Sequence, residues 1–133
     1  DQKAKRLVKA TEESLVAGIK AARAGNHVGD IGAAVQKVGE KYGYGIVWEL
    51  GGHGVGYRVH EEPYIPNFGE PGTGPELVSG MVLAIEPMFT EGEPDVKIMN
   101  DGYTFETKDH SRAAHFEHTI VVTDGAPEII TKI

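Results

Sequence analysis

From Lys3 to Ala24 the chain keeps a four-residue period, with Leu7, Thr11, Leu15 and Ile19 on one line and Val8, Ala17 and Ala22 widening it. That spacing predicts an amphipathic helix, and Gly25 is placed to end it. Gly18 weakens the helix intrinsically and marks a place where another element comes close. A second helical period follows, with Asp30 as its N-cap and Ile31, Ala34, Val35, Val38 and Tyr42 as its buried face. Gly43 and Gly45 stop it. Asp30 is also a conceivable metal carboxylate, but its place directly before a clean helical period favours capping.

After Ile46 the pattern changes. Ile46-Val47-Trp48 reads as a short strand that enters a glycine-rich run from Leu50 to Gly56. Prolines at 63, 66, 71 and 75 make Glu61 to Gly80 a long irregular loop, of a length that is often functional. Met81 to Ile85 is an apolar strand halted by Pro87. Val96 to Met99 and Tyr103 to Thr107 flank Asn100-Asp101-Gly102, a hairpin signal. His115 to Thr123 reads as one strand, and Asp124-Gly125 turns into a last one at Glu128 to Thr131. Two helices followed by a mainly antiparallel sheet give an α+β class.

With 133 residues the chain suits one domain spanning 1–133. Hydrophobic content of 40% and charged content of 25% are those of an ordinary globular protein. A net charge of -7 with no Lys/Arg-rich run argues against a nucleic-acid surface. The absence of cysteine removes disulfides, thiolate metal sites and cysteine nucleophiles, so any metal must sit on His, Asp, Glu and water. No apolar stretch is long enough for a membrane span and no signal-peptide pattern opens the chain, so a cytoplasmic, membrane-free protein is expected. The chain begins at Asp1 without Met, which suggests trimming from something longer.

Strand alternation locates the chemistry. Phe116, His118, Ile120 and Val122 share one face, while His115, Glu117, Thr119 and Val121 share the other. Glu86 closes the apolar run Met81 to Ile85, directly before a proline. A carboxylate ending a buried strand must be paired, protonated or bound to metal, because an isolated buried charge is costly. For each glutamate taken alone, an ion pair or a side chain turned to solvent is the favoured explanation. His53 stands between glycines in G-G-H-G-V-G, where the backbone can turn sharply and bring the imidazole close to a charge. A plain loop histidine is the alternative. His60 opens H-E-E-P, which is no zincin helix, since Tyr64 stands where a second histidine is needed and Pro63 disrupts the helix. His27, His110, His115 and His118 read as surface or core residues, His115 least clearly because it shares a face with Glu117. Together His53, Glu86 and Glu117 form a mixed N/O set that suits Mn, Fe, Co or Zn better than Mg or Ca.

The ordered motifs are more specific than their parts. G-H-G-V-G at 52 to 56, H-E-E-P at 60 to 63, I-E-P-M at 85 to 88, N-D-G-Y-T at 100 to 104, K-D-H-S at 108 to 111 and F-E-H-T at 116 to 119 follow one another. In that order they resemble the type I methionine aminopeptidases, over essentially the whole chain. The resemblance implies the C-terminal half of a pita-bread fold and removal of N-terminal methionine from nascent peptides. It places His53 and Glu86 on one divalent ion, with Glu117 bridging to a second. It also makes His60 and Glu86 catalytic, His60 at the scissile carbonyl and Glu86 as the proton carrier to the leaving amine. Val59 and Tyr103 match positions lining the methionine pocket, where the family carries larger aromatics.

E-P-M rather than E-P-G separates the chain from the aminopeptidase P and prolidase group, and the short gap from His60 to Glu86 separates it from type II enzymes. The family's two aspartates and a further histidine come from a preceding half. Asp95, Asp101 and Asp109 lie in downstream turns and do not replace them. The chain alone is therefore expected to carry one side of a two-metal site, and activity is not expected of it without the missing half or a second copy. The alternative is a non-catalytic peptide-binding or assembly module.

Overall fold

A computed structural model describes residues 1–132. The first helix, α1, spans Gln2–Ala21, three residues short of the expected end, and the Asp1 carboxylate caps it by accepting from the Ala4 amide at 2.9 Å. Its buried side is Leu7, Ala10, Thr11, Ser14, Leu15, Gly18 and Ile19. At Gly18 the methyls of Val35 and Ile85 close in to where a Cβ would stand, so the helix is notched where its two neighbours converge.

The second helix, α2, spans Val28–Tyr42 and ends on Gly43, which has a positive φ of 73°. Its N-cap is His27, and this corrects the reading of Asp30. Asp30 is the third helical residue, and its Oδ2 accepts from the His27 amide at 2.7 Å, the reaching-back half of a capping box. Its Oδ1 accepts from the Gly72 amide at 3.1 Å, so Asp30 ties the helix start to the following loop. Of the expected buried face, Ile31 and Val35 are fully buried, while Ala34, Val38 and Tyr42 are half-buried. The rest of the seam is Val28 and three glycines, Gly29, Gly32 and Gly39. At Gly29 and Gly32 the backbone carbonyls of Glu70 and Phe68 occupy the space of a side chain.

Among the described residues ten short strands follow: β1 Gly45–Ile46, β2 Gly52–Gly54, β3 Glu61–Ile65, β4 Val82–Ile85, β5 Met88–Thr90, β6 Val96–Ile98, β7 Phe105–Thr107, β8 Ala113–His115, β9 His118–Val121 and β10 Glu128–Ile129. They form a five-stranded antiparallel sheet ordered β10-β9-β4-β2-β3, a three-stranded sheet β1-β5-β8, and the hairpin β6-β7. The α+β class stands, with four local corrections. The strand expected at 46–48 is only Gly45–Ile46. The segment expected to be wholly irregular contains β3, and Pro63 is tolerated there because β3 is a sheet edge. A strand, β5, resumes directly after Pro87. The long strand from His115 is split in two at Phe116-Glu117.

Leu83, Ile85, Ile120 and Val122 pack with Leu15, Ile19 and Ile31 into the main core, and Leu7, Ala10, Val35 and Phe89 form a second cluster. The helices thus cover one face of the sheet. By alternation Ala84, Glu86 and Met88 point to the other face.

Candidate metal centre

The β4–β9 and β5–β8 pairs belong to different sheets but keep one register. Ile85 lies opposite His118 and Met88 opposite His115, so Glu86 lies opposite Glu117 and Pro87 opposite Phe116. Pro87 has no N–H for the ladder. What remains across the gap is a bond from the Phe116 amide to the Pro87 carbonyl at 3.3 Å. Both strands are therefore interrupted where the two carboxylates face each other. Like charges directly opposite on paired strands repel, and a shared cation removes that repulsion.

His53 is delivered to the same place by β2, where it pairs with Ala84 on one side and Tyr64 on the other. A Cβ at Gly52 would collide with the Ala84 carbonyl, and one at Gly54 with the Glu62 carbonyl, so only glycine lets the three strands close around this histidine. The His53 Nδ1 lies 2.8 Å from the Gly54 carbonyl oxygen. A carbonyl can only accept, so Nδ1 carries the proton and the neutral ring presents a lone pair at Nε2. That Nε2 lies 3.3 Å from Glu86 Oε1, and both side chains are only 13% exposed. Two acceptors facing each other at this distance are complementary once a proton or a metal ion lies between them.

The donor atoms of His53, Glu86 and Glu117 all lie within 4.8 Å of one another. Among the described residues no other group of three such side chains does so. One imidazole nitrogen and two carboxylates, with His53 and Glu86 partly buried and Glu117 exposed, fit a divalent transition ion.

Beside His53 and Glu86 is an open cleft of about 1330 Å³, with His53, His60, Tyr64, Glu86, Phe105 and His115 in its wall. The His60 ring stands 4.2 Å from that of His53, centroid to centroid, and is exposed to the cleft. Val59 and Tyr103 are highly exposed and lie outside the cleft wall, whereas Arg58 and Phe105 beside them belong to it. Asp30 is spent on the α2 cap, Asp101 accepts hydrogen bonds within its own turn, and Asp109 accepts from the amides of Ser111 and Glu93. None of the three approaches the cluster.

Three neighbours of Glu86 escaped the sequence reading. Asn67, buried in the proline-rich segment, donates its side-chain amide to the Glu86 backbone carbonyl at 3.1 Å. Tyr64 is close enough that burial, and then the Glu86 charge, push its phenol above the ordinary range. His115 Nε2 lies 3.3 Å from Glu86 Oε2, and this contact raises the imidazole pKa despite the opposing effect of burial, with the charges of Glu86 and Glu117 adding to it. For His115 the signal was present in its shared face with Glu117. For Asn67 no local signal exists.

The sequence pattern of metallopeptidase family M24 matches residues 1–124. A methionine aminopeptidase from Clostridium acetobutylicum is 46% identical over 130 residues, which are 98% of this chain and 52% of that protein. The crystal structure of methionine aminopeptidase from Thermotoga maritima superposes with a TM-score of 0.97 at 47% identity, covering 100% of this chain and 53% of that one. The enzyme of that name from Rickettsia prowazekii gives 0.96 at 42% identity, covering 99% and 54%. The chain thus spans about half the length of the relatives it matches.

Proposed function

Because the chain belongs to metallopeptidase family M24, we propose that it is the metal-binding half of a methionine aminopeptidase, which removes the initiator methionine from nascent peptides whose next residue is small. The observation that carries this reading is the pair Glu86 and Glu117, in register across a strand break with a donor atom of His53 within 4.8 Å of both. Two opposed carboxylates at a gap in the ladder serve no structural purpose that a neutral pair would not serve better. The alternative of a non-catalytic binding module is therefore not favoured.

His53 and Glu86 would hold one divalent ion, Co, Mn, Fe or Zn by the chemistry of the donors, and Glu117 would supply a further carboxylate for a second. When bound, such ions polarise a substrate carbonyl and acidify water near neutral pH. The chain's own residues do the rest. Nδ1 of His53 stays on the Gly54 carbonyl, which keeps Nε2 free as the donor atom. His60, beside His53 at the open side of the cleft, donates to the scissile carbonyl oxygen as it gains charge. Glu86 accepts a proton from the attacking water and delivers it to the leaving amine. Val59 and Tyr103, which lie outside the cleft wall in this chain, would meet the methionine side chain only once the substrate is seated. The remaining ligands of the second ion come from outside these 133 residues, from a preceding half or a second copy of the chain. No helix among the described residues is long and apolar enough to cross a membrane, and a cytoplasmic setting accords with a nascent-chain substrate.

The test is a titration of the chain with Mn²⁺, Co²⁺ and Zn²⁺ together with hydrolysis of a Met-Ala peptide, with and without an added N-terminal half. Binding of one ion by the chain alone, and turnover only with the added half, is the expected result. A chain that takes up none of the three ions in either setting refutes the assignment.

A further inference from the structure

We infer that His115 is a positioning residue for Glu86, holding one carboxylate oxygen so that the other stays aimed at His53. Glu86 has three close neighbours, two of which bring it a donor. Oε1 faces His53 Nε2 at 3.3 Å, Oε2 faces His115 Nε2 at 3.3 Å, and the backbone carbonyl takes the Asn67 amide at 3.1 Å. His53 and Asn67 reach Glu86 from the β2 side and from the loop after β3. His115 alone reaches it from the partner strand, through a register that places β8 across from β5.

The division of labour between the two oxygens follows. A free carboxylate rotates about its last bond and exchanges its oxygens. With the His115 Nε2 beside Oε2, rotation gives up that contact, so Oε1 is held on the ligand side. The role needs only a donor at that point, and the neutral ring supplies one from Nε2 as readily as the charged ring. His115 has no comparable structural duty. Its side chain is 47% exposed, and it ends β8, the edge strand of the three-stranded sheet. It also stands outside the three-residue donor cluster, which separates it from the ligands themselves. Partners that orient a metal-binding carboxylate commonly change affinity 10–100-fold when removed.

The inference rests on the reading of Glu86 as a metal ligand, and one set of measurements separates the two. Co²⁺ is titrated calorimetrically into the full chain and into His115→Ala and His115→Gln, with the Co²⁺ absorption spectrum and the metal-free thermal midpoint recorded for each. Gln keeps an N–H donor near the same place, while Ala removes it. The expected result is roughly 10–100-fold weaker binding by His115→Ala, a changed Co²⁺ spectrum, recovery of both by His115→Gln, and metal-free midpoints alike in all three. Equal affinity in His115→Ala overturns the positioning role and leaves Glu86 as a ligand. Failure of His115→Gln to recover what His115→Ala loses overturns it too, because the donor would then not be the operative feature. A parent chain that binds no Co²⁺ overturns the metal reading and this inference with it.

Discussion

Asn67 donates its side-chain amide to the backbone carbonyl of Glu86 at 3.1 Å, from a side chain only 2% exposed. The carbonyl lies just past the end of β4, where the ladder is interrupted, so this bond anchors the main chain that carries the carboxylate. Replacing Asn67 by Ala leaves the carbonyl without its partner and opens a small void. A loss of about 1–3 kcal/mol is expected in urea unfolding, accompanied by weaker metal binding although no ligand has changed. Full stability in Asn67→Ala would show that the bond does not anchor the strand end.

Glu117→Gln separates the two roles of the opposed carboxylates. In the metal-free chain it removes one of two like charges facing each other, so the thermal midpoint should hold or rise, by an amount corresponding to about 0.2–1 kcal/mol. With Zn²⁺ present the order should reverse, because the variant has lost a ligand. Melting curves with and without a chelator check both halves. A fall in the chelated sample would mean that Glu117 supports the fold directly.

Gly52→Ala tests how β2 presents its histidine. The added methyl runs into the Ala84 carbonyl, so β2 must move away from β4. A destabilisation of about 1–3 kcal/mol is expected for such overpacking, and metal affinity should fall as His53 leaves Glu86. Calorimetric titration beside a denaturation curve reads the two effects.

The hairpin tip predicts an acid-sensitive feature remote from the metal cluster. Asp101 accepts from the Thr104 hydroxyl and from the amides of Thr104 and Tyr103, and these bonds hold its carboxyl below the ordinary value of 3.8. A depressed carboxylate stabilises the folded form above that value and loses the contribution as pH falls below it. Protection of the Tyr103 and Thr104 amides, followed by NMR, should therefore decline below about pH 4. In Asp101→Asn this acid-dependent decline should vanish.

Much of the site was legible because local periodicity carries it. The apolar run into Glu86 and the alternation through Glu117 each put a carboxylate on the far side of a core strand, and the glycines around His53 pointed to a backbone squeezed by neighbours. Pairing was not legible. Nothing near Glu61 to Ile65 announces that this proline-bearing stretch will lie along β2, since an edge strand needs only part of its ladder. The split between β8 and β9 is invisible for a related reason: the register runs unchanged through the gap, so the side-chain alternation is that of one unbroken strand. The capping of α2 was displaced by three residues because Asp30, an acidic residue in the first turn, has the chemistry of a cap as well as that of its actual place in the capping box. His115 required both facts, its face and its partner strand, to be recognised as a neighbour of Glu86.

The unbroken register across the strand gap couples two events that are usually considered apart. Leu83 and Ile120, an opposed pair in the core, and Glu86 and Glu117 lie on the same two strands at a fixed offset. A slip by one residue would turn the core side chains outward and part the carboxylates at once. An ion held between these glutamates is therefore a ligand of the native registration alone, with no such pair to meet in the unfolded chain. By mass action it stabilises the folded state by about 2.7 kcal/mol at a free concentration a hundred times its dissociation constant. Metal supply would then govern how much of the chain is folded, in addition to how much is loaded.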